Sequence, residues 1–272
     1  MLMKNKHDRK SRLPIEDLIR LNNIFENKHW PIQDQLEESF FDNFCNMLET
    51  LESDERNLLI ALTENFLWVQ DGEYLPYFMR SFNEFVNEFL FGECKNICIC
   101  PLLPEADFGK PKSSVMLLYM IKANLSSIQK KYSKRYNICY VDSPKDFISK
   151  FNGQDFILCL IDDFIGSGET VESAMLFLLE SGVNINQIAI ISLVGMKDGI
   201  DRIKNNGYHI FISTVCNKGI SSFGQNVEEI RSIMERIEEK IKVKDEYKFG
   251  YRQSEALVKM MRTPNNTFPI YW

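Results

Sequence analysis

The stretch from Phe156 to Thr170 constrains this chain more than any other. Phe156, Ile157, Leu158, Cys159, Leu160 and Ile161 run without a polar break, then come Asp162 and Asp163, then Phe164, Ile165 and the loop Gly166-Ser167-Gly168-Glu169-Thr170. An unbroken apolar run reads as a strand buried on both faces, the usual condition of a central parallel strand. Beyond the loop, Val171, Ala174, Met175, Leu178 and Leu179 recur at helical spacing, and Ser181-Gly182 closes that segment. Two glycines let the loop expose backbone N–H groups, and the positive end of the following helix reinforces them, so the element suits a phosphate. Ser167 and Thr170 add hydroxyl donors. The acidic pair accepts only, so it suits sugar hydroxyls or waters on a divalent cation rather than the phosphate itself. Together these features describe a site for a ribose 5-phosphate. The plainer alternative is a strand ending in aspartates before an ordinary glycine turn.

The periodicity around this element sets the architecture. From Ile15 to about Leu90 the pattern is helical and aromatic, with stripes at Leu36, Phe40, Phe44, Leu48 and Leu51, at Leu58, Leu62, Phe66 and Val69, and at Phe78, Phe82, Phe85 and Phe89. Ser53-Asp54-Glu55 marks a helix start and Asp71-Gly72 a helix end. From Lys95 onward the spacing predicts strands over 97–103, 137–141, 156–162, 187–194 and 208–215. Helices are predicted over 113–131, 170–179 and 197–205, and an amphipathic helix over 225–241. Such alternation predicts an α/β fold with a doubly wound, mostly parallel sheet and an N-terminal helical extension. The expected division is a flexible basic tail over 1–12, a helical extension over 13–94, and an α/β domain with a docked C-terminal tail over 95–272.

Composition narrows the function classes. Hydrophobic residues make up 44% of 272, ample for a core, and the net charge of −6 argues against the whole surface being a nucleic-acid platform. A local nucleic-acid patch stays open. No apolar run reaches bilayer length. Seven cysteines and no visible leader point to reduced thiols in a cytoplasmic protein. Cys94, Cys98 and Cys100 lack zinc spacing and read as buried free thiols. His29 and His209 read as incidental or core residues.

Three further segments are candidates. Pro104 to Ser114 follows the first core strand, and its Lys110 and Lys112 read equally as phosphate contacts or as part of a solvated connection. Asp142 to Lys150 lies between the second and third core strands and reads as an exposed polar loop that carries Lys145 and Lys150. The tail from Arg262 to Trp272 is apolar and proline-stiffened, so it is expected to dock, with Asn265 and Asn266 offering uncharged donors and acceptors to a pocket.

The order of apolar strand, acidic pair, two apolar residues and a small-residue loop ending in Gly-x-Thr resembles the ribose-phosphate signature of the type I phosphoribosyltransferases. The resemblance implies that Asp162 and Asp163 hold the ribose and are the catalytic pair, while Gly166, Ser167, Gly168, Glu169 and Thr170 hold the 5-phosphate. It implies phosphoribosyl diphosphate or a nucleotide as ligand, Mg²⁺ as cofactor, and displacement of diphosphate at the anomeric carbon. The segment holding Lys110 and Lys112 occupies the place of that family's diphosphate loop without copying it, and relatives with a catalytic lid carry it where Asp142 to Lys150 stands, which implies Lys145 and Lys150 as lid cations. Oxopurine-salvage members carry an acid where this chain has Gly166, so their base specificity does not transfer, and Glu169 sets a negative charge beside the expected phosphate. The ending Pro264-Asn265-Asn266-Thr267-Phe268-Pro269 also resembles that of phosphoribosyltransferase-like proteins of bacterial conflict loci, some linked to reverse-transcriptase (retron-type) antiphage systems. That likeness implies a protein partner, a reverse transcriptase or other defence component, reached through the helical extension. A module that keeps the pocket to sense a nucleotide, without catalysis, fits the same residues.

Overall fold

The computed structural model describes residues 13–32, 39–89, 96–132, 134–151, 153–222 and 224–272. The basic tail over 1–12, together with Leu36, Leu90 and Cys94, lies outside the described residues.

Helices α1 (Ile15–Asn27), α2 (Phe40–Leu48) and α3 (Ser53–Glu64) lead into a short strand, β1 (Leu67–Trp68), and then α4 (Tyr74–Glu88). At the start of α3 the Glu52 amide donates to Glu55 Oε2 at 2.8 Å, closing a reciprocal cap. The expectation that Asp71-Gly72 closes a helix is corrected, because these residues form the 3₁₀ turn Asp71–Glu73 that opens α4. The preceding helix has already ended at Glu64, and Phe66 and Val69 flank β1. Instead of stopping a helix, the acidic turn caps the next one, with the Gln70 amide on Glu73 Oε2 at 2.9 Å.

Strands β2 (Asn96–Pro101), β3 (Asn137–Tyr140), β4 (Ile157–Ile165), β5 (Ile188–Met196) and β6 (His209–Cys216) form one parallel sheet in the order β3-β2-β4-β5-β6. The crossovers carry α5 (Ser113–Ala123), α6 (Leu125–Tyr132), α7 (Pro144–Phe151), α8 (Glu169–Glu180) and α9 (Lys197–Asn205). The predicted long helix over 113–131 is two helices, parted at Asn124, whose Nδ2 donates to the Met120 carbonyl at 2.9 Å. The segment from Asp142 to Lys150 is mostly α7 rather than a polar loop, because Phe147, Ile148 and Phe151 at helical spacing pack on the sheet. Lys145 and Lys150 are exposed on that helix.

Both faces of the sheet are covered. On one face Ile97, Ile99, Cys159 and Ile161 pack with Phe78, Phe82 and Phe85 of α4 and with Leu117 and Ile121 of α5. On the other, Cys98, Cys100, Leu158 and Leu160 pack with Phe147, Ala174, Met175 and Leu178. Burial on both sides is why these strands read as continuous apolar runs. Each buried phenylalanine of α4 contributes roughly 1.5–3 kcal/mol. All six described cysteines are free thiols.

A separate cluster joins α1, α2 and α3 to α10 (Val227–Lys240) and to the C-terminal segment through Leu21, Phe25, Leu48, Leu59, Met234, Ile237 and Phe268. The last strand, β7 (Val258–Lys259), pairs in parallel with β1. Tyr271 packs its ring near those of Phe44 and Phe66 and shares a 2.9 Å hydrogen bond with Thr63. Among the described residues no helix is long and apolar enough to cross a membrane.

Candidate functional site

The chain leaves β2 toward β3 on one side and returns to β4 on the other. The connections after β2 and β4 therefore diverge, and the crevice between them is where ligands bind in open α/β sheets. A cavity of about 870 Å³ occupies that crevice. It is bounded by the segment after β2, the end of β4, the start of α8, and residues Tyr247, Tyr251, Arg262–Asn266 and Trp272 of a carboxy-terminal strap.

β4 continues through the acidic pair to Ile165, so Asp162 and Asp163 lie within the strand, with Asp162 registered opposite Ser192. Asp162 is only 8% exposed and Asp163 5%. Asp162 Oδ1 accepts the Asp163 amide at 2.9 Å and the Ser113 hydroxyl at 3.4 Å. Burial, followed by the adjacent Asp163 charge, pushes Asp162 well above the usual carboxylate range. Asp162 thus keeps its proton further up the pH scale than a free carboxyl and can both donate and accept toward a hydroxyl. Asp163 Oδ2 accepts the Tyr74 hydroxyl at 3.3 Å, and Tyr74 in turn accepts the Met261 amide at 2.7 Å. One phenol at the start of α4 therefore links the acidic pair to the strap.

Gly166, Ser167 and Gly168 form the turn into α8, and Gly168 takes the left-handed conformation at φ +84° with no side-chain cap. An uncapped helix start leaves its first N–H groups for a ligand. The turn is held from both sides. A Cβ on Gly166 would fall inside contact distance of the Asn266 side chain, and one on Gly199 inside contact distance of the Gly166 carbonyl. Glycine at 166 and 199 thus reflects close approach by the strap and by α9.

The expected site residues divide on inspection. Asp162, Asp163 and Gly166 to Thr170 all line the cavity. Glu169 does not stand as a free charge, for its carboxylate pairs with Arg252 Nε at 2.8 Å and accepts the Tyr251 hydroxyl at 3.1 Å. Lys112 lines the cavity and Lys110 does not. Both lysines are tied to Asp107, at 2.8 Å and 3.1 Å, and Lys112 followed by Lys110 draws its carboxyl below the usual range. Asn265 and Asn266 both line the cavity. Asn265 is exposed, whereas Asn266 is buried and donates to Ser254 Oγ at 2.8 Å and to the Tyr251 carbonyl at 3.3 Å. Lys145 and Lys150 do not line the cavity.

Sequence reasoning missed Tyr74, Tyr251, Arg252, Gly199 and Arg262. Arg262 lines the cavity and has no ion-pair partner among the described residues, unlike Lys112. A lone arginine opening an apolar tail was its only sequence signal. Counting side chains, four carboxylates (Asp107, Asp162, Asp163 and Glu169) face two cations (Lys112 and Arg262). Among the described residues no group of three or more His, Cys, Asp and Glu side chains is arranged to hold a metal ion.

A family model described as PRTase-CE matches residues 34–272, spanning α2 to α4 as well as the sheet. No curated protein matches the chain. Among solved structures, an orotate phosphoribosyltransferase from Aeropyrum pernix is similar at 11% identity and a TM-score of 0.33, covering 62% of this chain and 77% of its own. An HGPRT-ase from Leishmania tarentolae, in complex with GMP, is similar at 13% identity and a TM-score of 0.32, covering 56% of this chain and 81% of its own. Likenesses this distant do not establish an activity.

Proposed function

From its membership of the PRTase-CE family, a phosphoribosyltransferase-like family to which this chain belongs, we propose that it binds phosphoribosyl diphosphate or a nucleotide 5′-phosphate. The reaction proposed is transfer or cleavage at the ribosyl anomeric carbon. One observation carries the reading: a single crevice at the switch point of the sheet is lined both by the buried acidic pair and by the uncapped glycine turn of α8. The turn would hold the 5-phosphate through its N–H groups, and Asp162 and Asp163 would hold the ribose hydroxyls. Tyr74 hydrogen-bonds Asp163, and the strap completes the lining of the cavity.

The pairing of Lys110 and Lys112 with Asp107, beside the acidic pair, bears on the cofactor. A polyanion entering this cavity needs a countercharge, and Mg²⁺ carried on the diphosphate supplies one while neutralising the leaving group. Asp162 and Asp163 are the side chains that would face such an ion; the diphosphate would provide most of its ligands. Arg262, unpaired among the described residues, is available to the diphosphate ahead of Lys110 and Lys112, whose charges Asp107 already balances.

That balance also supports a second reading, a sensor that binds the nucleotide without turning it over and signals to a protein partner through the N-terminal helices. Exposed Ile15 and Ile19 on α1 suit such a partner. The Pro264-Asn265-Asn266-Thr267-Phe268-Pro269 ending favours service beside a reverse transcriptase or another component of antiphage defence in the cytoplasm, in either reading.

Incubation with phosphoribosyl diphosphate and Mg²⁺ tests the proposal. Diphosphate release that falls roughly hundredfold in Asp162→Asn and Asp163→Asn, with binding weakened, supports catalysis. Saturable binding without release supports the sensor. Absence of any saturable binding by phosphoribosyl diphosphate or nucleotides sinks both.

A further inference from the structure

Behind the glycine turn lies a second cavity, of about 410 Å³, which shares Gly166, Ser167 and Glu169 as a wall with the larger one. Its far side is the start of α9, with Lys218, Arg252 and Ser254 completing it. Neither Asp162 nor Asp163 lines it. Its charge is the reverse of its neighbour's: Lys197, Arg202, Lys218 and Arg252 face only Glu169 and Asp198. A cavity of this size admits a small organic ligand.

Every one of those cations has a carboxylate partner that a better anion could replace. Lys197 pairs with Asp201 at 2.6 Å, Lys218 with Asp198 at 3.1 Å, Arg252 with Glu169 at 2.8 Å, and Arg202 with Glu172. The Lys197 and Arg252 side chains remain 55% and 62% exposed, so their pairs are screened and weakly held. A phosphate offers several acceptor oxygens at once, including bidentate contact with a guanidinium. Met196 supplies no side-chain cap to α9, so the first amides of that helix add donors at the same place.

We propose that this smaller cavity is an effector site for a small phosphate- or diphosphate-bearing anion, sensed through the Arg252–Glu169 pair. The turn stands between such an anion and the acidic pair, which makes it a regulator rather than a reacting partner. An anion that draws Arg252 away leaves the Glu169 charge beside the α8 amides without its cation. Phosphate binding in the larger cavity then weakens, and by linkage each ligand weakens the other.

Calorimetric titration of the full chain with inorganic pyrophosphate tests the site. The expected result is a saturable component that weakens about tenfold or more in Lys197→Gln/Lys218→Gln and returns in Lys197→Arg/Lys218→Arg. An isotherm identical in the glutamine variant, or no binding by the wild type, overturns the proposal. Coupling is then read from the affinity for phosphoribosyl diphosphate with and without saturating pyrophosphate. A several-fold weakening present in the wild type and abolished in the glutamine variant supports regulation; equal weakening in both means direct competition in the larger cavity and overturns it. The first measurement stands without the ribose-phosphate reading and the second rests on it. Failure to bind phosphoribosyl diphosphate therefore counts against that reading while the pyrophosphate titration still decides this one.

Discussion

The large cavity has two walls built by different means. The glycine turn at 166–168 is local: a strand, three small residues and a helix start, with one left-handed residue that is itself a glycine. The strap is not. Phe249, Arg252, Gln253 and Glu255 all take left-handed φ angles between 50° and 58°. Each such residue costs roughly 1–2 kcal/mol in L-amino acids. The strap persists because buried Glu255 collects the Ile220 amide at 2.9 Å, the Ser221 amide at 2.7 Å, the Ser221 hydroxyl at 2.6 Å and the Arg231 guanidinium. The turn is built from contiguous residues even where Asn266 and Gly199 press on it, whereas the strap holds its shape only while distant elements pull on it.

The largest test of that contrast is Arg231→Ala, which removes the cation from a fully buried carboxylate. A destabilisation of about 3–5 kcal/mol is expected from urea unfolding, with the strap loosening first in hydrogen exchange. Loss under 1 kcal/mol would mean that the strap stands without its hub. Next comes the point where the walls touch. Gly166→Ala drives a methyl into the Asn266 side chain, so Asn266→Ala should relieve much of the damage. A double-mutant cycle on stability should give a coupling of about 0.5–3 kcal/mol, and additivity would show that the walls are independent. A smaller effect, about 1–2 kcal/mol, is expected for Tyr74→Phe, which strips the Met261 amide of its acceptor and Asp163 of its donor. Thermal melts together with ligand titration read both consequences.

The last test is one of slope. Glu238 Oε1 holds the Phe249 amide at 2.8 Å while Oε2 is buried with no hydrogen-bond partner among the described residues. Burial pushes this carboxyl up from 4.5 to about 7. Because the folded form holds the proton more tightly, the associated stability is complete below pH 4.5 and is lost as pH rises through 7. Glu238→Gln keeps an acceptor for Phe249 and should flatten that loss. Melting temperatures from pH 4 to 8 that fall in parallel for both proteins would show that Glu238 does not titrate in this range.

Much of the sheet was legible because its signals are local. Every predicted core strand is present, since residues buried on both faces leave continuous apolar runs. The acidic pair and the glycine turn were legible for the same reason, lying within a few residues of one another. Errors came where a local sign had a distant cause. Asp71-Gly72 looks like a helix end because an acidic turn can stop one helix or start the next. Asp142 to Lys150 looks like a loop because its lysines mask Phe147, Ile148 and Phe151, which the sheet buries. Tyr74, Arg252 and Arg262 carry no pattern at all; each matters only through what stands opposite it.

By itself the sequence determined the parallel sheet, the crevice-forming turn and the carboxylates beside it, because hydrophobic period and glycine spacing act over short distances along the chain. Tertiary structure alone decided which cations remain unpaired, that Glu169 is neutralised by Arg252, and that Asn266 packs against Gly166. Those outcomes depend on residues brought together from the glycine turn, the start of α8 and the final strap, where charge and steric fit are settled across space rather than along the backbone.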